Sequence, residues 1–228
     1  MSTSNKERLY ADLKRKILTL ELEPGAHLDE TSLSAEYGIS RTPLRDIFRL
    51  LAGEGYIQIR DNRGTIVSPM SHKTMRDFFM TAPLIYASVA RLAAQNATAA
   101  QIDELRAVQK NFRAAVEGGS PDDMVFWNDR FHFVMGEMAD NQYLMPSLRR
   151  LLIDHARIGQ TFWRARDDTM RGRIGAAADQ HDRFIALIEA GDAEAAVAVT
   201  LEHWALSRDH MELFVRPEPL PISVPETA

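Results

Sequence analysis

One short stretch of the chain has the composition of β-strands, whereas apolar residues elsewhere repeat with a helical period. The stretch is YIQIRDNRGTIV, residues 56–67, in which two β-rich runs flank a turn containing Asn62 and Gly64. This pattern predicts a hairpin. With helical periodicity over most of the remaining sequence, the chain of 228 residues is predicted to be mostly α.

Three predicted helices precede the hairpin. The first covers residues 7–20 and ends at the EPG motif, and a short second helix lies near residues 30–37. Gly38 then suits the tight reversal into a third helix, which begins near residue 41 and carries an apolar face. Three helices followed by a hairpin are the layout of a winged helix-turn-helix.

The third helix combines its apolar face with a row of arginines. Arg41, Arg45 and Arg49 recur every four residues, so one face packs while the neighbouring face presents guanidinium groups. Such a helix can enter a DNA major groove. At the hairpin tip, Arg63 beside Gly64 can reach the adjacent backbone or minor groove. An isolated arginine stripe is more often a solvated face, but a preceding glycine turn and a following basic hairpin favour DNA binding.

The stretch LEPGAHLDETSLSAEYGISRTPLRDIFRLLAGEGYIQIRDNRGTIV carries a resemblance to a known family. It resembles the winged-helix domain of the GntR family of bacterial transcription regulators, and the resemblance covers about residues 7–67. The resemblance implies operator DNA as a partner. The residues that it assigns to the DNA contact are Ser40, Arg41, Thr42, Arg45 and Arg49, with Gly64 at the wing tip.

Charge and composition are compatible with this interpretation. Basic and acidic side chains balance over residues 1–70, so residues 71–228 carry the whole formal net charge of −5. Phosphate contacts depend on local clusters and not on net charge. The chain has no cysteine, which rules out disulfides and thiolate metal sites and fits a reducing compartment. Without a secretory signal pattern or an apolar run of ~20 residues, we expect a cytoplasmic protein and no membrane association.

The sequence beyond the hairpin is predicted to be almost wholly helical. The predicted domains are a winged helix over residues 1–70, an all-helical effector-binding and dimerisation domain over 71–215, and a proline-rich flexible tail over 216–228. The predicted helices of the second domain lie near 72–96, 98–117, 121–139, 142–165, 169–190 and 193–214.

Four side chains in this second part share the spacing of a metal site. Asn128 and His132 are one helical turn apart in FWNDRFHFVMGEM and therefore lie on one face. His181 and His203 flank the turn at Gly191 at nearly equal distances, so they lie side by side in an antiparallel helical hairpin.

If the two pairs face each other, three imidazoles and one amide oxygen converge on one point. Such a set suits zinc or nickel and leaves coordination positions open. Ligating imidazoles must be neutral, so occupancy is expected to fall below the ordinary histidine pKa of ~6.5. The alternative is that each histidine is separately a hydrogen-bonded core or surface residue. However, two independent spacings, that of Asn128 with His132 and that of His181 with His203, both favour a metal site. His155 and His210 have no such relation, and His27 and His72 lie at predicted loops, so these four are interpreted as structural.

The motif N-D-R-F-H with two later histidines resembles the FCD effector domain of the FadR-like branch of GntR regulators. The resemblance covers roughly residues 72–214. Metal-binding members have D-x-x-F-H, so it implies His132, His181 and His203 as ligands, with Asn128 at the usual aspartate position. A neutral amide oxygen is a poorer ligand for a dication than a carboxylate, which lowers the expected metal affinity.

The same resemblance implies a small-molecule effector, with organic acids among the candidates. Many relatives have an arginine and a glutamate where this chain has Ala82 and Tyr86, so the effector is expected to be held differently. The predicted effector-binding residues are Tyr86, Arg130 and Met135.

These features together predict a ligand-responsive, homodimeric DNA-binding transcription regulator that is not an enzyme. Repression relieved by the effector is the common mode of the family. One alternative is a helical metalloenzyme, but a di-metal bundle needs a second acid-x-x-His motif besides Asp129-x-x-His132. The other is a constitutive DNA-binding protein with a structural metal.

Overall fold

The computed structural model describes residues 4–61, 64–165 and 167–215, which form nine helices and three strands. The mostly α fold is confirmed. The winged helix consists of α1 (Asn5–Leu18), β1 (His27–Leu28), α2 (Glu30–Tyr37), α3 (Arg41–Glu54), β2 (Ile57–Arg60) and β3 (Gly64–Val67). The helical bundle consists of α4 (His72–Asn96), α5 (Ala99–Gly118), α6 (Pro121–Met138), α7 (Leu144–Trp163), α8 (Asp168–Glu189) and α9 (Ala193–Val215).

The structure adds one strand that the sequence did not predict. His27, which was expected in a loop, lies on β1 and pairs with Ile66 of β3 in an antiparallel register. The sheet therefore has three strands in the order β1-β3-β2, and not the two of a simple hairpin. A strand of two residues is too short to show an alternating pattern, which is why periodicity missed it.

Some predictions fall on residues that the structure does not describe. Arg63, one of the predicted DNA contacts, lies outside the described residues, as does the tail predicted from residue 216 onward. His210 lies in α9, but its side chain is not among those described. The domain boundaries at residues 70 and 215 stay predictions.

The core of the winged helix explains the spacing seen in its sequence. Leu9 and Leu13 of α1 are fully buried, and they share one apolar cluster with Leu44 and Leu51 of α3. Gly38 ends α2 in the left-handed conformation at φ +60°, where a side chain would be strained, so α3 can turn back sharply. This turn leaves the arginine-bearing face of α3 directed away from the core.

The helices of the bundle pack against one another in several pairs. α4 packs along α9, α5 lies against both α6 and α8, and α6 packs on α7. α4 remains one helix through Pro83. Among the helices of the described residues, none is both long and apolar enough to cross a lipid bilayer.

α7 joins the bundle to the winged helix through buried polar contacts. The side chain of Arg157 has no solvent exposure; its Nη2 donates to the Ser68 carbonyl at 2.6 Å, and its Nη1 donates to Asp154 at 3.3 Å. One turn later, Gln160 Nε2 donates to the Leu18 carbonyl at the end of α1, at 2.9 Å. Buried polar groups need such partners, so these contacts fix the winged helix against α7.

Replacing Arg157 with Met should destabilise the protein by about 3 kcal/mol, because the Ser68 carbonyl loses its buried donor and Asp154 loses one of its two arginines. Urea unfolding measures this loss. Arg149→Met is the control, since Arg149 is exposed and stacks on Phe133; it should change stability by less than ~0.5 kcal/mol. Equal stability of the two variants would contradict the assigned role of Arg157.

Candidate metal centre, effector cavity and DNA interface

The three predicted histidine ligands come together in the bundle. One ring nitrogen from each of His132, His181 and His203 lies within 4.8 Å of the others, although the histidines come from three different helices. Tetrahedral zinc with Zn–N distances of 2.1 Å needs nitrogens ~3.4 Å apart. The observed spacing is wider by at most ~1.4 Å, which small side-chain rotations can close.

The orientation of His181 is set by a neighbouring amide. Gln109 of α5 donates its Nε2 hydrogen to the Ala178 carbonyl at 2.8 Å, which leaves its Oε1 facing His181 Nδ1 at 3.1 Å. Nδ1 of His181 must therefore carry the proton, and Nε2 carries the lone pair. Phe131 stacks on the same ring at a centroid distance of 3.9 Å and holds its plane.

A second glutamine acts on His203 in the same way. Gln180 Oε1 lies 2.9 Å from His203 Nδ1, so a proton on Nδ1 leaves Nε2 free as an acceptor. Burial lowers the pKa of His203 to about 3. Burial also lowers the pKa of His132 and His181 well below the ordinary value, and neighbouring histidines add to the effect. All three imidazoles are thus neutral at physiological pH, as metal ligands must be.

Three buried polar atoms in this part of the bundle have no hydrogen-bond partner. They are Asn128 Oδ1, His132 Nε2 and His181 Nε2. Buried acceptors without a partner cost free energy, and all three are electron-pair donors of the kind that a divalent ion binds. The residues present therefore fit a divalent metal, including Asn128 at the position where metal-binding relatives are expected to have aspartate.

Two small cavities adjoin the histidine cluster. The first, of about 20 Å³, is bounded by Tyr86, Met135, His132 and His203, together with other side chains. The second, of about 10 Å³, is bounded by Asn128 and His203, again among other residues. The structure thus brings two of the three predicted effector-binding residues, Tyr86 and Met135, to the histidine cluster.

His155 is a residue of this site that the sequence interpretation assigned to a structural role. It lines both cavities, and its Nδ1 lies 2.8 Å from the Tyr86 hydroxyl. Burial lowers the pKa of His155 to about 4 and raises the pKa of Tyr86 well above its usual value, so both are neutral. A signal was present in the sequence, since His155 falls on the apolar stripe that includes Leu148 and Leu152 of α7.

The structure does not bring Arg130 to this cavity. Arg130 lies at the surface, where it pairs with Glu104 and Glu137 and stacks on Phe133. It lines a separate groove of about 1090 Å³ between α1 and the bundle. Position 130 is two residues from 128 and from 132, so on a helix it faces away from both. Helical geometry therefore separates it from the predicted cluster.

The predicted DNA-contacting residues of α3 form one exposed surface. Ser40, Arg41, Thr42, Arg45 and Arg49 are all exposed, and so is Gly64 at the start of β3 with φ +74°. Ser40 is the N-cap residue of α3, but its hydroxyl makes no capping hydrogen bond. The Ser40 hydroxyl therefore remains available to another acceptor or donor.

Comparison with known protein families agrees with both halves of the chain. Residues 5–67 match the family of bacterial regulatory proteins named after gntR, and residues 84–206 match the FCD domain. The chain therefore belongs to the GntR family, and its helical part is an FCD domain.

Several curated relatives are transcription regulators by name. The chain is 32% identical over 145 residues to the HTH-type transcriptional repressor RspR of Escherichia coli, and the aligned region spans 64% of each protein. It is 22% identical over 206 residues to the HTH-type transcriptional regulator YdhC of Bacillus subtilis, covering 90% of each. It is also 21% identical over 137 residues to the gluconate operon repressor of Bacillus subtilis, covering 60% of this chain and 56% of that one.

Solved structures support the fold. McbR/YncC of E. coli superposes with a TM-score of 0.76 at 18% identity, over 94% of this chain and 100% of that one. Lar of Listeria monocytogenes superposes with a TM-score of 0.59 at 18% identity, over 93% and 99%. The arrangement of a winged helix followed by a helical bundle is thus shared with these proteins.

If the histidine cluster is a metal centre, zinc should stabilise the protein. At a free zinc concentration about 100 times the Kd, we expect a gain of ~2.7 kcal/mol and a rise in Tm of about 5–10 °C. His181→Ala should abolish the rise. The control His27→Ala, which removes an exposed histidine from β1, should leave it unchanged. Differential scanning fluorimetry with and without zinc measures the shift.

Asn128→Asp should tighten zinc binding about tenfold, which is ~1.4 kcal/mol, because a carboxylate replaces a neutral oxygen at the same reach. Since burial lowers the pKa of the imidazoles, proton competition should begin below the value of ~6.5 expected for a free histidine. Protein that takes up no zinc, and shows no rise in Tm in either form, would show that the four side chains serve another ligand.

Proposed function

We propose that this chain is a homodimeric transcription regulator whose affinity for operator DNA changes when a small molecule binds. The observation that supports this most directly is the presence of an exposed arginine surface on α3 and a buried histidine cluster in the bundle of one chain. The named relatives are regulators and repressors. Repression is the mode that we propose.

The exposed face of α3 has the chemistry that DNA requires. Arg45 pairs with Glu30 at 3.2 Å and Arg49 pairs with Asp46 at 2.8 Å, and more than half of each arginine side chain is exposed. Ion pairs this exposed contribute at most ~1 kcal/mol. The arginines can therefore exchange these carboxylates for phosphates or guanine edges at little cost.

In the proposed regulator, the bundle senses the effector at the histidine cluster. Asn128, His132, His181 and His203 would hold a divalent metal, and a bound metal supplies a positive charge to which an acidic effector can bind. Tyr86, Met135 and His155 bound the adjoining cavity and would contact the rest of the effector. Gln109 and Gln180 contact the Nδ1 atoms of His181 and His203, which would leave the Nε2 atoms of both rings to hold the ion.

The alternative of a helical metalloenzyme has less support. Hydrolysis at a single metal site needs a general base near the ion. Among the described residues that line the two cavities there is no carboxylate. Asp129, next to Asn128 in the sequence, lines the separate groove against α1. The cluster therefore suits binding better than catalysis.

We further propose that a second copy of the chain covers an apolar surface on α4 and α9. Met80 and Leu84 are 63% and 69% exposed one turn apart on α4, and Leu201 is 51% exposed on α9, which packs beside α4. An exposed apolar patch of this kind marks an association surface. A two-fold dimer through this patch would present two copies of α3 to a symmetric operator.

Arg45→Ala should weaken binding to the operator by about 30-fold or more, since each base-edge contact is worth ~1–3 kcal/mol and a dimer loses two. The operator can be enriched from a pool of random duplexes with the wild-type protein and then used in gel shifts at fixed salt. Arg171→Ala is the control, because Arg171 is an exposed, acid-paired arginine of α8. Affinity within threefold of wild type for Arg45→Ala would remove it from the interface.

Leu84→Asp should convert the dimer to a monomer, because the charge would be buried against the second copy without a partner. Sedimentation velocity reports the mass directly. Tyr143→Asp, which alters an 80% exposed aromatic residue between α6 and α7, should leave the dimer intact. A Leu84→Asp protein that stays dimeric would place the interface on another surface.

A further inference from the structure

We propose that the groove between α1 and the bundle (the junction groove) binds a short peptide whose amino and carboxyl termini are both free. The groove has a volume of about 1090 Å³, and none of the three clustered histidines lines it. Small-molecule sites usually measure ~300–1,000 Å³, so the junction groove is large enough for a peptide of a few residues. The inference goes beyond the proposed function and needs neither the metal nor the operator.

The walls of the junction groove come from the two parts of the chain. One wall consists of α1 and tyrosines of the winged helix, and the other consists of α6 and the first half of α7. Glu7 and Leu18, near the two ends of the α1 wall, are separated by about three helical turns, or ~16 Å. An extended peptide covers ~3.3–3.6 Å per residue, so the groove has room for it. A peptide bound there contacts both the winged helix and the bundle, and it favours the arrangement of the two in which the groove is formed.

The first argument is an unpaired carboxylate on the α6 wall. Asp129 is mostly buried, and among the described residues no hydrogen bond or ion pair engages it. Two cations attract it, Lys14 and Arg130, but they already form ion pairs with Glu54 and Glu104. A carboxylate held out of water without a partner is unfavourable, and a peptide ammonium would supply charge-assisted hydrogen bonds. The other carboxylates that line the groove are paired with lysines or accept a backbone hydrogen bond at the start of α1: Asp12, Glu36, Glu54 and Glu7.

The second argument is a pair of arginines that stack on aromatic rings. Arg149 Cζ lies 5.4 Å from the centre of the Phe133 ring. Arg8 Cζ lies 5.2 Å from the centre of the Tyr37 ring. Among the described residues, neither arginine has a carboxylate partner. A stacked guanidinium still presents N–H donors at its edge, and a peptide carboxylate can accept two of them. The remaining cations that line the groove are paired with carboxylates: Lys14, Arg15 and Arg130.

The spacing of these charges sets the length of the ligand. Asp129 and Phe133 are one turn apart on α6, which places their Cβ atoms ~6 Å apart on one face. Arg149 stacks on Phe133 and forms no ion pair with Asp129, so its guanidinium is on the order of 10 Å from the carboxylate. In a free amino acid the two charged groups flank a single Cα, whereas each added residue contributes ~3.3–3.6 Å. With a hydrogen bond of ~2.8 Å at each end, a peptide of two or three residues spans the distance.

The third argument is the aromatic surface around Asp129. Phe126 lies nearly one turn before Asp129 on α6 and is 53% exposed, and Phe133 lies one turn after it. From the wall of the winged helix, Tyr10 and Tyr56 add two more rings to the lining. Removal of apolar ring surface from water is favourable. We therefore expect the peptide to carry an aromatic or large apolar side chain.

End-blocked dipeptides test the two charges separately. Phe-Ala is titrated into the full-length protein by isothermal calorimetry at about pH 7, where both ends of the peptide are charged. N-acetyl-Phe-Ala lacks the ammonium, and Phe-Ala-amide lacks the carboxylate. We expect a Kd below about 1 mM for Phe-Ala and at least about tenfold weaker binding of each blocked form and of free phenylalanine. Equal binding of any of the three, or no binding of Phe-Ala at about 10 mM, overturns the inference.

Two variants test the assigned partners. Asp129→Asn and Arg149→Met should each weaken Phe-Ala binding by about tenfold, but Asp129→Asn should not weaken N-acetyl-Phe-Ala any further, because its ammonium is already absent. Asp103→Asn and Arg171→Met are the matched controls, since they change exposed charges of α5 and α8 that do not line the groove. Unchanged Phe-Ala affinity in either test variant overturns the inference.

Other occupants of the junction groove would give different results. If Phe-Ala binds only after residues 216–228 are removed, the C-terminal segment of the chain covers the groove, and the inference is overturned. If Phe126→Asp lowers the mass measured by sedimentation velocity, a second copy covers the groove, and the inference is likewise overturned. The titrations use neither operator DNA nor zinc, so this inference and the proposed function can fail separately.

Discussion

The placement of the winged helix against the bundle depends on the contacts of the buried Arg157 guanidinium. Its side chain has no exposure, so its charge is tolerable only because Asp154 and the Ser68 carbonyl lie against it. Ser68 directly follows β3, and Gln160 of the same helix holds the last turn of α1. A single helix, α7, thereby fixes the winged helix at two points. The position of the arginine surface of α3 relative to the bundle follows from these contacts.

The opposite side of α7 faces the cavity, because His155 lies two residues before Arg157, about 200° around the helix, and its ring contacts Tyr86. His155 lines the cavity, and it lies within five positions of Arg157 and Gln160, which contact the winged helix. Any ligand that displaces His155 acts on a helix already bonded to the DNA-binding part. Such a connection is what a regulator of two domains requires of its structure.

Burial also sets the chemistry of the histidine cluster. Removal from water lowers the pKa of each imidazole, which keeps one nitrogen of each ring unprotonated, and the amide of Gln109 decides which nitrogen of His181 remains free. The same burial leaves Asn128 Oδ1 and two imidazole nitrogens without partners. A ligand bound there would recover the free energy lost in this way.

The sequence by itself determined all the elements except β1, and it determined the convergence of three histidines. Apolar periodicity located the helices of the bundle within a few residues, and the spacing of Asn128 from His132 and of His181 from His203 predicted a convergence that the structure shows for the three histidines. These features are local, or depend on one helical turn or one hairpin, so spacing along the chain encodes them. Tertiary structure alone decided which side chains from other helices complete the site. Contrary to the sequence prediction, His155 lines the cavity and Arg130 lies outside it. The reason is that packing against the rest of the bundle sets the rotation of α6 and α7 about their axes. The set of residues that lines the cavity and the hydrogen bond from Arg157 to the Ser68 carbonyl likewise depend on contacts between distant residues, which no single-helix pattern contains.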